Sequence, residues 1–216
     1  MMYSIEQFNW RRTDGKLSEW PKRMAANVSP YVRTVRSQRG FSLLEISIVT
    51  AIVLLLAIIG VPAISGYVIE NKVPKVGESL ARFILQTKVN ASNGESTPYA
   101  DIATLNFANQ VRDSSLFLVS GDDANVKALH GLGSDGEVQV QAQEGGAGFS
   151  LTLTKVNHAA CPSIASVMQR VSDVISVGSQ GQSAVVVKDA ATPYSALTAE
   201  SHCGKGDVNT FVFSAR

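Results

Sequence analysis

No residue between Ile46 and Val61 carries a charge, and nothing in that run is more polar than Ser47 and Thr50. With Phe41–Leu44 in front of it, the apolar tract is about 21 residues, or roughly 31 Å as helix, which matches the hydrocarbon core of a bilayer. A membrane segment is therefore the first element to place, and the rest of the chain is arranged around it. One carboxylate, Glu45, stands in the first turn of the tract. An acid at that depth costs about 2.5–3.5 kcal/mol on insertion scales, so it calls for a partner.

The formal charge of the 216 residues is +1, but it is unevenly spread. Residues 1–40 hold eight Lys and Arg against three Asp and Glu, and residues 41–216 hold eleven against fifteen. Arg33, Arg36 and Arg39 lie closest to the apolar tract. By the positive-inside rule residues 1–40 stay cytoplasmic and the C-terminal part crosses. The part that crosses has no basic excess to suggest a nucleic-acid partner.

The stretch Arg39-Gly40-Phe41-Ser42-Leu43-Leu44-Glu45 resembles the processing signal of type IV pilins and the related pseudopilins. The resemblance implies cleavage after Gly40 by a prepilin peptidase, N-methylation of Phe41, and an assembly role for Glu45 beside the new amino terminus. Pro62, with Gly60 before it, falls where many members of the family bend the helix. Chemistry points the same way: a cut at Gly40 creates an ammonium at Phe41, a counter-ion for the Glu45 carboxylate about one helical turn away. In a stack of helices that pairing can run between neighbours and set their stagger. An ordinary signal peptide would be cut after the apolar run, near Val61-Pro62-Ala63. The long stretch ahead of the run and the acid inside it argue against that reading and against an uncut signal anchor.

Residues 1–40 mix Trp10, Trp20, Pro21 and Pro30 with scattered charge and read as a cytoplasmic leader that is removed. After Pro62 the chain turns amphipathic: Ile69, Val73, Val76, Leu80, Phe83 and Ile84 recur at three- and four-residue steps. Glu78 and Arg82 have the spacing of a pair on one exposed helix face. One long helix is expected over 41–93, with its membrane and assembly part at 41–62 and a stop at Asn93-Gly94. Gly60, Pro62, Gly66, Pro74 and Gly77 weaken it, and each proline is expected to kink or open it locally.

Residues 94–216 are expected to form the head. A short helix near 102–111 and a strand at 116–120 come first. Gly131-Leu132-Gly133-Ser134-Asp135-Gly136 formally fits a dinucleotide fingerprint, but an alternating strand follows it where a helix would be needed, so it reads as a turn. That strand, 137–142, should pair with 149–154 as a hairpin with one buried face. A helix over 162–175 would carry Ile164, Val167, Met168, Val171 and Ile175 on one stripe, with Pro162 in its first turn and either Asn157 or Cys161 as its cap. Strands at 183–188 and 210–214 follow, with a short helix opening at Thr192-Pro193 between them.

Cys161 and Cys203 are the only cysteines, and both lie in the exported part. An even pair in an oxidising compartment reads as a disulfide. The order of strand, Ala159-Ala160-Cys161-Pro162, helix, strand, Cys203 and closing strand resembles the C-terminal half of type IVb pilins such as bundle-forming pilin. The resemblance implies an α+β fold: a long N-terminal helix packed on an antiparallel sheet head, with the Cys161–Cys203 bridge holding the C-terminal region. It also implies a homo-oligomeric helical filament, an inner-membrane precursor with a periplasmic head, and partners in the peptidase and the assembly machinery.

Little else in the chain suggests chemistry. His158, Cys161, His202 and Cys203 could be drawn as a zinc cluster, but adjacent residues are awkward joint ligands and the thiolates would forgo the disulfide. Asp122, Asp123 and Asp135 suit turns better than a calcium site. No nucleophile elbow or cysteine–histidine unit stands out. The expectation is a non-enzymatic structural subunit without metal or cofactor. The alternatives are a minor pilin or secretion pseudopilin and, further off, a membrane-anchored periplasmic protein of other function.

Overall fold

The computed structural model describes residues 40–91 and 94–216. The expected leader lies outside them except for Gly40. The fold described here is the compact unit Leu44–Arg216.

The first element, α1, is a helix over Leu43–Asn90. Its 48 residues would extend about 72 Å at 1.5 Å per residue. It is a single element across all five of its helix-weakening glycines and prolines. At Pro74 the exposed position leaves room for the missing hydrogen bond to be replaced by water. The expected stop at Asn93-Gly94 comes three residues early, at Asn90, and Gly94 takes a left-handed φ of 92° in the turn beyond.

Beyond α1 come α2 (Thr104–Val111), β1 (Leu118–Ser120), β2 (Lys127–Leu129), β3 (Glu137–Gln143) and β4 (Gly148–Asn157). Then follow α3 (Cys161–Met168), β5 (Val174–Ser179), β6 (Val185–Lys188), α4 (Ala196–Ser201) and β7 (Asp207–Ala215). The strands form one seven-stranded antiparallel sheet in the order β1-β2-β3-β4-β7-β5-β6. The expected hairpin is β3–β4, with Val138 opposite Leu153 and Val140 opposite Leu151.

Period-2 patterning decides which face is covered. In β7 Asn209, Phe211, Phe213 and Ala215 are buried, while Val208, Thr210, Val212 and Ser214 are only partly so. Phe149, Leu151 and Leu153 of β4, and Ile175 and Val177 of β5, join the same core. Onto it α1 lays Val73, Val76, Leu80, Phe83 and Ile84, none more than 3 % exposed. Each such side chain contributes about 1.5–3 kcal/mol on burial. Phe83 is the joint, edge-on to Phe107 of α2 at 5.3 Å and to Phe149 of β4 at 6.5 Å. The expected α+β fold, a long helix packed on an antiparallel sheet, is the fold observed.

Gly77 has a role the sequence reading did not give it. A Cβ there would stand 2.7 Å from Cγ1 of Val167 in α3, so the missing side chain is what lets the two helices meet. The same glycine that weakens α1 as a rod allows the head to seat on it.

Two elements differ from expectation. The helix expected over 162–175 stops at Met168, and Val171 and Ile175 are not on it. Ile175 lies in β5, opposite Phe213 of β7, because the β-branched Val174, Ile175 and Val177 suit a place inside the sheet. The last helix begins at Ala196 and not at Thr192-Pro193. Ser195 is its N-cap, its hydroxyl accepting from the Thr198 N–H. Neither proposed cap holds α3: Asn157 instead accepts from the Ala159 N–H in the preceding 3-10 turn, and Pro162 occupies the first turn of α3.

Candidate functional site

The N-terminal half of α1 is apolar on every side and the head does not cover it. Its most apolar 18-residue window has a mean hydropathy of 2.7 and no buried residue, and it is long enough to cross a membrane. Leu43 is 90 % exposed and Ile58 76 %. The change comes between Val68 and Val73, where the helix passes from exposed all round to buried on one face. A helix that is apolar all round needs lipid or other apolar helices about it.

Between Leu43 and Val61 the polar side chains are Glu45, Ser47 and Thr50. The Ser47 hydroxyl donates to the Leu44 carbonyl and the Thr50 hydroxyl to the Ile46 carbonyl, both at 2.8 Å. Glu45, in the first turn, makes no hydrogen bond or ion pair among the described residues. Gly40, Phe41 and Ser42 precede the helix, and Gly60 lies in its apolar half with open space where a Cβ would be.

The structure brings Cys161 and Cys203 together in a disulfide, with Cα atoms 6.3 Å apart. Cys161 is fully buried at the start of α3, and Cys203 follows α4. The bond therefore ties the two short helices that flank the β5–β6 hairpin in sequence. Both sulfurs are committed to it, which leaves no thiolate for a zinc cluster. Lys188 of β6 adds a second tie: its ammonium donates to the carbonyls of Gln169 and Ser172 at the end of α3, where a cation complements the helix dipole.

The glycine-rich turn 131–136 is held by a polar cluster that the sequence reading passed over. His130 is fully buried; its Nδ1 accepts from the Leu132 N–H at 3.0 Å, and Nε2 faces the Thr154 carbonyl at 2.9 Å. Only the neutral ring protonated on Nε2 satisfies both contacts. Asp207 accepts from the Ser134 N–H at 2.8 Å and from the Asn157 side chain. Burial pushes the Asp207 pKa up, but the hydrogen bonds from Ser134 and Asn157 bring it below the usual 3.8. The turn, the end of β4 and the start of β7 thus share one anchor. Gly136 is required because a Cβ there would run into the His130 ring.

Burial is also the main reason that His130 is held below its ordinary pKa of 6.5; the Thr154 carbonyl and the Asp207 charge oppose it without outweighing it. The unfolded chain then takes up its proton at a higher pH than the folded one. Stability from this residue is full above pH 6.5 and declines below it, by at most about 1.4 kcal/mol per pH unit, until the folded form also protonates. Urea midpoints of the protein should accordingly fall between pH 7.5 and pH 5, and His130→Gln should flatten that slope. An unchanged slope in the variant would exonerate His130.

Residues 133–216 match the PilS family model, described as PilS N terminal. The match covers less than half of the chain and takes in β3 to β7 with both cysteines. No curated protein matches the chain. Among solved structures the chain is similar to the type IVb pilin from Salmonella typhi, with 24 % identity over 64 % of this chain and 94 % of that one, at a TM-score of 0.44. Residues 133–216 are thus similar to the PilS family, and they complete a fold in which a long helix is laid on an antiparallel sheet and the Cys161–Cys203 bond closes the C-terminal region.

Proposed function

We propose that the chain is a structural subunit of a type IV pilus of the type IVb kind. It is made as a prepilin whose leader, residues 1–40, stays cytoplasmic and is removed by a prepilin peptidase after Gly40. Phe41 becomes the N-methylated amino terminus. The precursor waits in the inner membrane with its head, residues 94–216, in the periplasm. The assembly machinery then draws it into a helical filament of identical subunits outside the cell. The long helix, residues 41–93, provides both the anchor and, through residues 41–62, the filament core.

The observation that carries this reading is the two-part character of α1. Its second half is buried on one face by the head, while its first half is apolar all round and bare. An extended apolar rod beside a finished head fits two environments in succession, lipid before assembly and neighbouring copies of itself afterwards. Gly60 and Pro62 are the place where such a rod can bend or extend on passing from one to the other. The chemistry of this reading is assembly; it assigns no catalytic residue, metal or cofactor.

Mass spectrometry of protein sheared from the cell surface tests the processing. The expected amino-terminal peptide begins at Phe41 and carries one added methyl group. A mature chain starting near Ile64, or one that retains residues 1–40, would sink the proposal.

A further inference from the structure

Where α1 ends, its last two turns, the segment 94–102 and α2 enclose an open groove of about 480 Å³. The sequence gives this region no motif, and the filament reading makes no use of it. Four carboxamides line it, of which Asn106 already accepts from the Ala103 N–H; the other three, Gln86, Asn90 and Gln110, stand with two carboxylates, Glu95 and Asp101, and with the rings of Phe83 and Tyr99. None of those five polar side chains has a hydrogen-bond partner among the described residues. No lysine, arginine or histidine stands among the described lining residues.

Tyr99 is the second, separate observation. It is only 6 % exposed, its ring packed 4.9 Å from that of Phe149 and its N–H bonded to the Gly146 carbonyl. Yet its hydroxyl has no partner among the described residues and is not sealed from solvent. A tyrosine this deeply fixed that keeps its hydroxyl unpaired beside a groove presents a rigid donor and acceptor to whatever enters.

We propose that this groove binds a neutral or amine-bearing sugar. Carboxamides, carboxylates and a phenol match a ligand whose hydroxyls each donate and accept, and the volume lies in the range of small-ligand sites. An apolar ligand would strand the unpaired amides. An anionic sugar would meet two carboxylates with no cation to offset them. An ammonium on the sugar would instead gain from Glu95 and Asp101. The inference stands apart from filament assembly, since it concerns the far end of α1 from Glu45.

The test uses the full chain in micelles of a detergent without a sugar headgroup. Saturation-transfer NMR and titration are run with glucose, N-acetylglucosamine, glucosamine and glucuronic acid. Saturation transfer is expected to the first three and not to glucuronic acid. Tyr99→Phe, which keeps the ring packing, should weaken binding about 3- to 10-fold, as loss of one hydrogen bond does. Asp101→Asn should reduce the preference for glucosamine over glucose while leaving glucose binding in place. Parallel arms with the producing cell's own surface polysaccharide and with foreign cell-surface glycans separate the two sources of such a ligand, and binding in either arm supports the groove. No transfer to any sugar, an equal response to glucuronic acid, or unaltered affinity in both variants would overturn it.

Discussion

Replacing Glu45 with valine is expected to abolish fibres while leaving cleavage after Gly40 largely intact. The carboxylate has no partner within the described residues, in a helix half that is otherwise apolar. In the membrane pool it is a liability, so the variant should be at least as stable there as the parent. In a filament the position reverses. On the proposed reading, the amine at Phe41 of an incoming subunit would need a counter-charge among apolar helices, and Glu45 of a neighbour would supply it at one axial offset only. Removing one member of a buried pair costs about 3–5 kcal/mol because the other is left uncompensated. That corresponds to more than about 100-fold in the affinity of each added subunit. Processing is read from the amino terminus and assembly from sheared fibres, with wild-type and variant chains also expressed together. Normal fibres made solely of processed Glu45→Val protein would remove the carboxylate from the assembly mechanism.

The second large effect is expected from the disulfide. The bond closes a loop of 42 residues, for which the chain-entropy estimate is about 4 kcal/mol. At about 2–4 °C per kcal/mol for a protein of this size, Cys203→Ser should lower the melting temperature by roughly 8–16 °C. The loss should fall on the docking of α3 and α4, since the bond joins the start of one to the end of the other. Changing both cysteines should be no worse than changing one if the bond itself is responsible. A melting temperature that does not respond to reductant would show that packing around Cys161 holds the region without the bond.

How much could be read from the sequence depended on how local the deciding interactions are. The bare half of α1 and its amphipathic half were legible because burial there follows one helix's own period. The β3–β4 hairpin was legible for the same reason, as two alternating runs joined by a short glycine-rich link. The segment 169–175 was not. Val171 and Ile175 are four apart, which suits a helix stripe, and it is the pairing of Val174–Ser179 with β7 that holds β5 as a strand. That partner lies far along the chain, and no local pattern announces it. Strand β2, three residues long, carries too little sequence for any period to register. Gly77 looked like a defect in a rod until Val167 appeared against it. Gly40, Phe41, Glu45, Gly60 and Pro62 are named by the resemblance of a short signal, and their roles rest with the proposal. The groove around Tyr99 could not be named from the sequence, because three separate segments meet to form it.

The strand order has a consequence for timing. Strand β7, the last described, lies between β4 and β5, and no hydrogen-bonded pairing joins the two halves of the sheet without it. The β1–β4 meander and the β5–β6 hairpin can each form as the chain emerges, but they stay separate until residues 207–215 arrive. Those residues bring Phe211 and Phe213 to the centre of the core in the same step. A ribosome or export channel still holding them therefore holds the head open, with Cys203 only a few residues ahead. Closure of the sheet thus waits for residues 207–215, and a copy halted short of β7 has no finished head.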